Sequence, residues 1–153
     1  MRVIWDLETD GLLDDVTTIH SLLMKDIDTG KVYSCCDHPY QPQTSGIVTL
    51  SIQEGLEVLT GTTLRIGHNT IKYDIPVLRK LYPTRSLSGT DLDTMVLAKL
   101  IHPDIKDEDS KALASGRLNR ETFKSKGRSL FGSHSLAAWG FRIGEHKQEY
   151  SGG

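Results

Sequence analysis

A chain of 153 residues with an ordinary share of apolar and charged side chains is long enough for one soluble globular domain with its own core. The net charge of −2 excludes a global attraction to nucleic acid, so any such contact has to come from a local basic patch. No apolar run approaches the ~20 residues that span a bilayer. The N-terminus enters a strand-like run at once, without a signal-peptide profile. The expectation is therefore a cytoplasmic protein with no membrane contact. Cys35 and Cys36 are adjacent, a spacing that strains a disulfide and does not suit a zinc site, so both read as free thiols of a reducing compartment.

In chain order, Arg2 to Leu7 is a short apolar run that ends in acids and a Gly11 turn, as a buried strand should. Ile19 to Asp26 and Lys31 to Cys35 flank the turn-rich Asp26-Ile27-Asp28-Thr29-Gly30, which predicts an antiparallel hairpin beside the first strand. Pro39 to Gly46 reads as a loop. Ser51 followed by Glu54 is a capping-box signature for a helix to about Leu59. Gly61 ends that helix, and Thr63 to His68 is the next strand. Ile75 to Leu81 is a helix that tolerates Pro76 in its first turn, with Asp74 just before it. Thr94 to Ile101 is another, with a wide apolar face.

From His102 to Phe131 periodicity fails, which predicts a long charged loop over 102–131 within a single domain. Ser133 should cap a last helix through Leu136, Trp139 and Gly140, closed by Gly144. Together these elements describe an α/β domain built on a mixed sheet.

Three carboxylates carry the chemistry. Asp6 and Glu8, two apart on a strand, project from one face about 7 Å apart along the chain, while Leu7 points to the other side. Asp74 arrives where a strand gives way to a helix, in the run His68-Asn69-Thr70-Ile71-Lys72-Tyr73-Asp74. Converging acids at a sheet edge suit two divalent ions, Mg2+ or Mn2+, roughly 4 Å apart, one readying a water and one stabilising the departing oxygen. Without metal the acids should repel one another. That pattern points to metal-dependent phosphodiester hydrolysis. Taken singly, the motifs also fit solvated carboxylates at a strand end, a turn satisfied by Asn69, and Asp74 as a helix cap.

Other residues are read more simply. Arg117, Arg120, Lys124, Lys126 and Arg128 form a basic cluster, either an arm tracking the phosphates of single-stranded DNA or a solvated loop. Asp93 is expected to cap the helix that follows it. His134 is read as structural and Trp139 as core, while His20, His38, His102 and His146 receive no role.

The run Asp6-Leu7-Glu8-Thr9-Asp10-Gly11-Leu12 resembles the first motif of the DEDD, or DnaQ-like, 3′→5′ exonucleases. Gly67 to Pro76 resembles their second. Asp93 to His102, Phe131 to Gly140, Arg142 to Glu145 and Lys147…Glu149-Tyr150 resemble the proofreading domain of T-seven-type podophage DNA polymerases of family A. The resemblance covers nearly the whole chain, least clearly between Tyr33 and Gly61.

It implies a ribonuclease H-like mixed β-sheet flanked by helices and removal of nucleotides from single-stranded DNA 3′ ends, in host cytoplasm if phage-encoded. By the same resemblance Asp6 bridges both metals, Glu8 holds the one carrying the attacking water, and Asp74 positions the other. Thr9 contacts the terminal nucleotide and Leu12 wedges against the last bases. Asn69 orients the substrate or a neighbouring acid, and Tyr73 belongs to the substrate side. The family also uses a fourth acid in a Tyr-x-x-x-Asp motif, and no such run follows Gly132 here. The expectation is a fragment completed by a separate polymerase chain. The alternative is a weak or inactive module of the same fold that binds DNA or a replication protein. Two-metal chemistry does not by itself choose DNA over RNA.

Overall fold

Val3, Trp5 and Leu7 alternate with more exposed residues along β1 (Arg2–Thr9), so one face of this strand is buried and the other open. The computed structural model describes residues 1–38 and 45–145. Most of the loop expected over Pro39 to Gly46, together with His146 and the Lys147…Tyr150 match, lies outside the described residues.

After β1 come β2 (Ile19–Asp26), β3 (Val32–Cys35), β4 (Ile47–Leu50), α1 (Ile52–Thr60), β5 (Leu64–Gly67), α2 (Asp74–Leu81) and β6 (Thr90–Asp93). The six strands form one sheet in the order β4-β3-β2-β1-β5-β6. Strand β2 runs antiparallel to both its neighbours, and the other pairings are parallel. This is the ribonuclease H-like mixed sheet that the motifs implied. The β2–β3 hairpin turns where Asp26 accepts from the Asp28 N–H at 3.0 Å and the Thr29 hydroxyl at 2.8 Å, with Gly30 at φ 76°.

Helix α1 begins as its capping box requires. Glu54 N–H donates to Ser51 Oγ at 3.2 Å, and Ser51 N–H donates to Glu54 Oε2 at 2.8 Å. Ile52, Leu56 and Leu59 of α1 meet Val3, Trp5, Leu7, Leu22, Met24 and Cys35 of the sheet, and Ile75, Val77 and Leu78 of α2 complete this core. On β5, between β1 and the edge strand β6, the side chain of Arg65 is wholly buried, with Nε 2.7 Å from Asp91 Oδ1. Asp91 therefore serves this pair.

The chain divides into two compact units, Met1–Thr94 and Met95–Gly153. Beyond the boundary, α3 (Thr94–Ile101) leads to α4 (Ile105–Ala114), a two-stranded ribbon of β7 (Lys124–Ser125) and β8 (Arg128–Ser129), and α5 (Leu136–Ile143). The stretch read as a long charged loop thus holds a helix and a hairpin. Its periodicity was hidden because one of the three buried positions of α4, Ile105, Asp109 and Ala112, is an aspartate. Asp109 accepts from Arg142 Nε and Nη2, each at 2.8 Å, and from the Gly132 N–H at 2.8 Å.

The Arg142 guanidinium in turn lies 4.8 Å from the Trp139 ring and 5.5 Å from the Phe123 ring. Ser135, not Ser133, caps α5, accepting from Ala138 N–H at 3.3 Å, while Ser133 Oγ supports it by accepting from Ser135 N–H. No helix among the described residues is long and apolar enough to cross a membrane.

Gly55 lets α1 press onto the sheet, since a Cβ there would lie 2.4 Å from Cys35 Sγ and 2.8 Å from Cys35 Cβ. Helix propensity alone would make Gly55→Ala stabilising by about 1 kcal/mol. Overpacking at this contact should reverse the sign. Urea unfolding is expected to show Gly55→Ala less stable than wild type by about 2 kcal/mol.

Candidate active site

Parallel pairing of β1 with β5 runs from Arg2–Leu64 to Ile4–Ile66, so β5 ends beside the middle of β1, next to Asp6, and the chain then leads into α2. Asp74, the first residue of α2, is only 4% exposed. Its Oδ1 accepts from the Leu7 N–H at 3.3 Å, which ties the start of the helix to β1. Burial, and after it the negative charge of Asp6, pushes the Asp74 carboxyl from 3.8 up to about 6, with a smaller push from Asp93. Asp6 and Asp74, 68 positions apart in the sequence, therefore feel each other directly.

Asp6 and Glu8 lie on the exposed face of β1, opposite Trp5 and Leu7. Among the described residues no three His, Cys, Asp or Glu side chains stand close enough together to hold a metal ion. The residues that fit a cation are the Asp6–Asp74 pair. Two carboxylates, one of them dry, gain most from a bound positive charge.

The neighbouring candidates are held by the protein itself. The Tyr73 hydroxyl and Thr9 Oγ1 lie within hydrogen-bonding distance of each other and of the Gly11 carbonyl, their two protons shared among three contacts, with Thr9 Oγ1 3.0 Å from the carbonyl. Leu12 is 76% exposed, on a loop fastened at several points. Asp10 Oδ1 accepts from the Thr17 and Thr18 N–H groups at 2.9 and 3.0 Å. The Thr17 hydroxyl, with those two N–H groups, holds the Asp10 carboxyl at about 2. Lys80 Nζ donates to the Leu13 and Asp14 carbonyls at 3.0 and 2.7 Å.

Asn69 takes a left-handed backbone, φ 67°, and its N–H donates to Asp93 Oδ1 at 2.9 Å. Asp93, the residue directly before α3, thus also clamps the β5–α2 turn. Reading the sequence missed this role, although an aspartate closing a strand beside the acid-bearing turn was its only available signal. Arg117, Arg120, Lys124, Lys126 and Arg128 are all exposed and belong to the second unit, the last three on the β7–β8 ribbon and its turn.

The chain is 35% identical over 154 residues, 97% of its length, to a DNA-directed DNA polymerase of Escherichia phage T7. It is 36% identical over 151 residues, 95% of its length, to the DNA-directed DNA polymerase of Enterobacteria phage T3. The chain is thus similar, over nearly all its length, to one portion of these phage polymerases. It spans about a fifth of those relatives' length, 20% and 19% respectively. No family model matches it. Two solved structures align over 94% of the domain: an exonuclease X in complex with 5′ overhanging duplex DNA, at 24% identity and TM-score 0.44, and the apo form of a nuclease, at 16% and 0.46. They cover 90% and 65% of those chains.

The raised Asp74 carboxyl gives the protein a measurable pH signature. The folded state holds the proton more tightly than the unfolded chain does. Its stabilising contribution is therefore full below pH 4 and lost as pH rises through about 6. A displacement of that size is worth up to about 3 kcal/mol. In EDTA, Asp74→Asn should be more stable than wild type at pH 7.5 and lose that advantage at pH 4. Urea unfolding of both proteins at the two pH values checks this.

Proposed function

We propose that this domain removes nucleotides one at a time from single-stranded DNA 3′ ends, as the proofreading nuclease of a phage DNA polymerase. The observation that carries the reading is a nearly dry Asp74 carboxyl set against Asp6, near where β5 ends beside β1. Asp6, Glu8 and Asp74 would hold two Mg2+ or Mn2+ ions. Such ions supply a water of lowered pKa and a counter-charge for the departing oxygen.

The protein's own part is orientation. Leu7 N–H fixes Asp74 relative to β1. Tyr73 fixes Thr9 and the Gly11 carbonyl, so the strand end that would meet the terminal nucleotide is set before DNA arrives. Leu12, held out on its fastened loop, offers an apolar edge on which a frayed base can rest. Asn69 presents its side chain from the same turn that delivers Asp74. In this reading a fourth carboxylate comes from polypeptide outside residues 1–153, on a separate polymerase chain or a continuation of this one.

A second reading is a weak or inactive module of the same fold that binds DNA or a replication protein. It is favoured by the lack of any three-ligand cluster among the described residues.

One assay separates the two. Purified protein is mixed with 5′-labelled single-stranded DNA, or matched RNA, and Mg2+ or Mn2+. The nuclease reading expects a ladder of shortened DNA, slowed at least about a thousandfold by Asp6→Ala or Asp74→Ala. Wild type as silent as Asp6→Ala, yet still binding the strand, would establish the module. An RNA ladder matching the DNA one would remove the preference for DNA.

The basic residues of the second unit are proposed to track DNA phosphates. Replacing Arg120, Lys124 and Arg128 with alanine should weaken single-strand binding without regard to sequence. The slope of log affinity against log salt should become shallower by roughly 0.7 for each phosphate no longer neutralised. Fluorescence anisotropy across a salt series measures both effects, and an unchanged slope would count against the assignment.

A further inference from the structure

Asp93 is the last residue of β6, only 4% exposed, and pairs in register with Gly67 at the end of β5. Both its oxygens are used on the turn between β5 and α2. Oδ1 accepts from the Asn69 N–H at 2.9 Å and Oδ2 from the Ile71 N–H at 3.0 Å. The next residue continues the clamp: Thr94 Oγ1 donates to the Gly67 carbonyl at 3.1 Å and lies 2.8 Å from His68 Nδ1. Gly67 allows the turn to fold back, because a Cβ there would fall 2.2 Å from Thr70 Cγ2. Below the clamp, Ile75 N–H donates to the Thr70 carbonyl at 2.9 Å, and Asp74 follows directly into α2.

We propose that Asp93 is a positioning residue that sets Asp74 against Leu7 and Asp6 through the Asn69–Ile71 turn. The need for a carboxylate is chemical. Two backbone N–H groups converge on one side chain, and only an ionised acid offers an acceptor to each. An asparagine would satisfy one and confront the other with its own NH2. The left-handed backbone, which asparagine tolerates better than most residues, is held at Asn69 by this clamp.

The consequence for metal binding rests on the nuclease reading, whereas the consequence for the Leu7 N–H does not. Asp26 supplies the matched control. It is another buried aspartate capping a turn in the same unit, and it pairs with Val3 near the start of β1, away from Asp6 and Glu8.

Two measurements on Asp93→Asn, Asp26→Asn and wild type test the proposal. In metal-free buffer, hydrogen exchange of the Leu7 amide, taken relative to globally exchanging amides, should be about tenfold faster in Asp93→Asn and unchanged in Asp26→Asn. With Mn2+ followed by electron paramagnetic resonance, the dissociation constant should rise at least tenfold for Asp93→Asn and less than twofold for Asp26→Asn. Equal effects of the two substitutions, or a Leu7 amide as protected in Asp93→Asn as in wild type, would overturn the positioning role. Wild type that takes up no Mn2+ would end the metal reading, and the Leu7 amide would still decide the role of Asp93. If Asp93→Asn does not fold, Thr94→Val loosens the same clamp more gently. Leu7 exchange at the wild-type rate in that variant would be equally fatal.

Discussion

Within the first unit, an acid that would prefer water is kept out of it beside a second acid. Asp74 is buried at the mouth of α2, and Asp6 lies close enough to oppose its ionisation. Much of the surrounding architecture fixes that juxtaposition. Parallel pairing ends β5 beside Asp6 of β1, and the Leu7 N–H holds the helix start. Tyr73 and Asp93 brace the segments on either side. The Leu7 N–H offsets part of the electrostatic cost, but burial and Asp6 outweigh it, so the arrangement stays under tension. Tension of this kind is typical of sites built to bind an ion rather than of sites built for stability.

The second unit treats a buried aspartate in the opposite way. Burial works against Asp109 too, but hydrogen bonds from Arg142 and the Gly132 N–H outweigh it, and its carboxyl lies below the ordinary range. Arg142 is itself stacked against Trp139 and near Phe123, so the pair ties α4 to α5 through a small aromatic core. A paired acid fastens helices together, while an acid set against another acid creates a demand for a ligand. The same residue type serves structure in one unit and readiness in the other, and its neighbours make the difference.

How far the sequence could be read follows from where its signals are local. The β2–β3 hairpin, the Ser51–Glu54 capping box and the Gly144 terminus are specified by residues a few positions apart, and each stands where the sequence put it. The acidic motifs were legible for the same reason, because the spacing of Asp6 and Glu8 on a strand needs no tertiary information. Helix α4 was not legible, since a helix whose inward face includes an aspartate gives no apolar period, and the partner that makes Asp109 acceptable lies 33 residues on. The Asp93 clamp was hidden similarly. Its partners, Asn69 and Ile71, come 24 and 22 positions earlier and contribute backbone N–H groups, which carry no side-chain signature. Strand β4 was missed because four residues pairing with an edge, beside an irregular segment, leave little pattern to detect.

Gly55 and Cys35 meet with no room between them, and Leu22 closes the third side, 3.2 Å from where a Cβ would stand. Over evolutionary time these two positions cannot drift separately. A lineage that enlarges the residue at 55 has to shrink the one at 35 in step, or else swing α1 away from the sheet. The two sites are thus inherited as one, and sequences descended from a common ancestor should record them as a correlated pair.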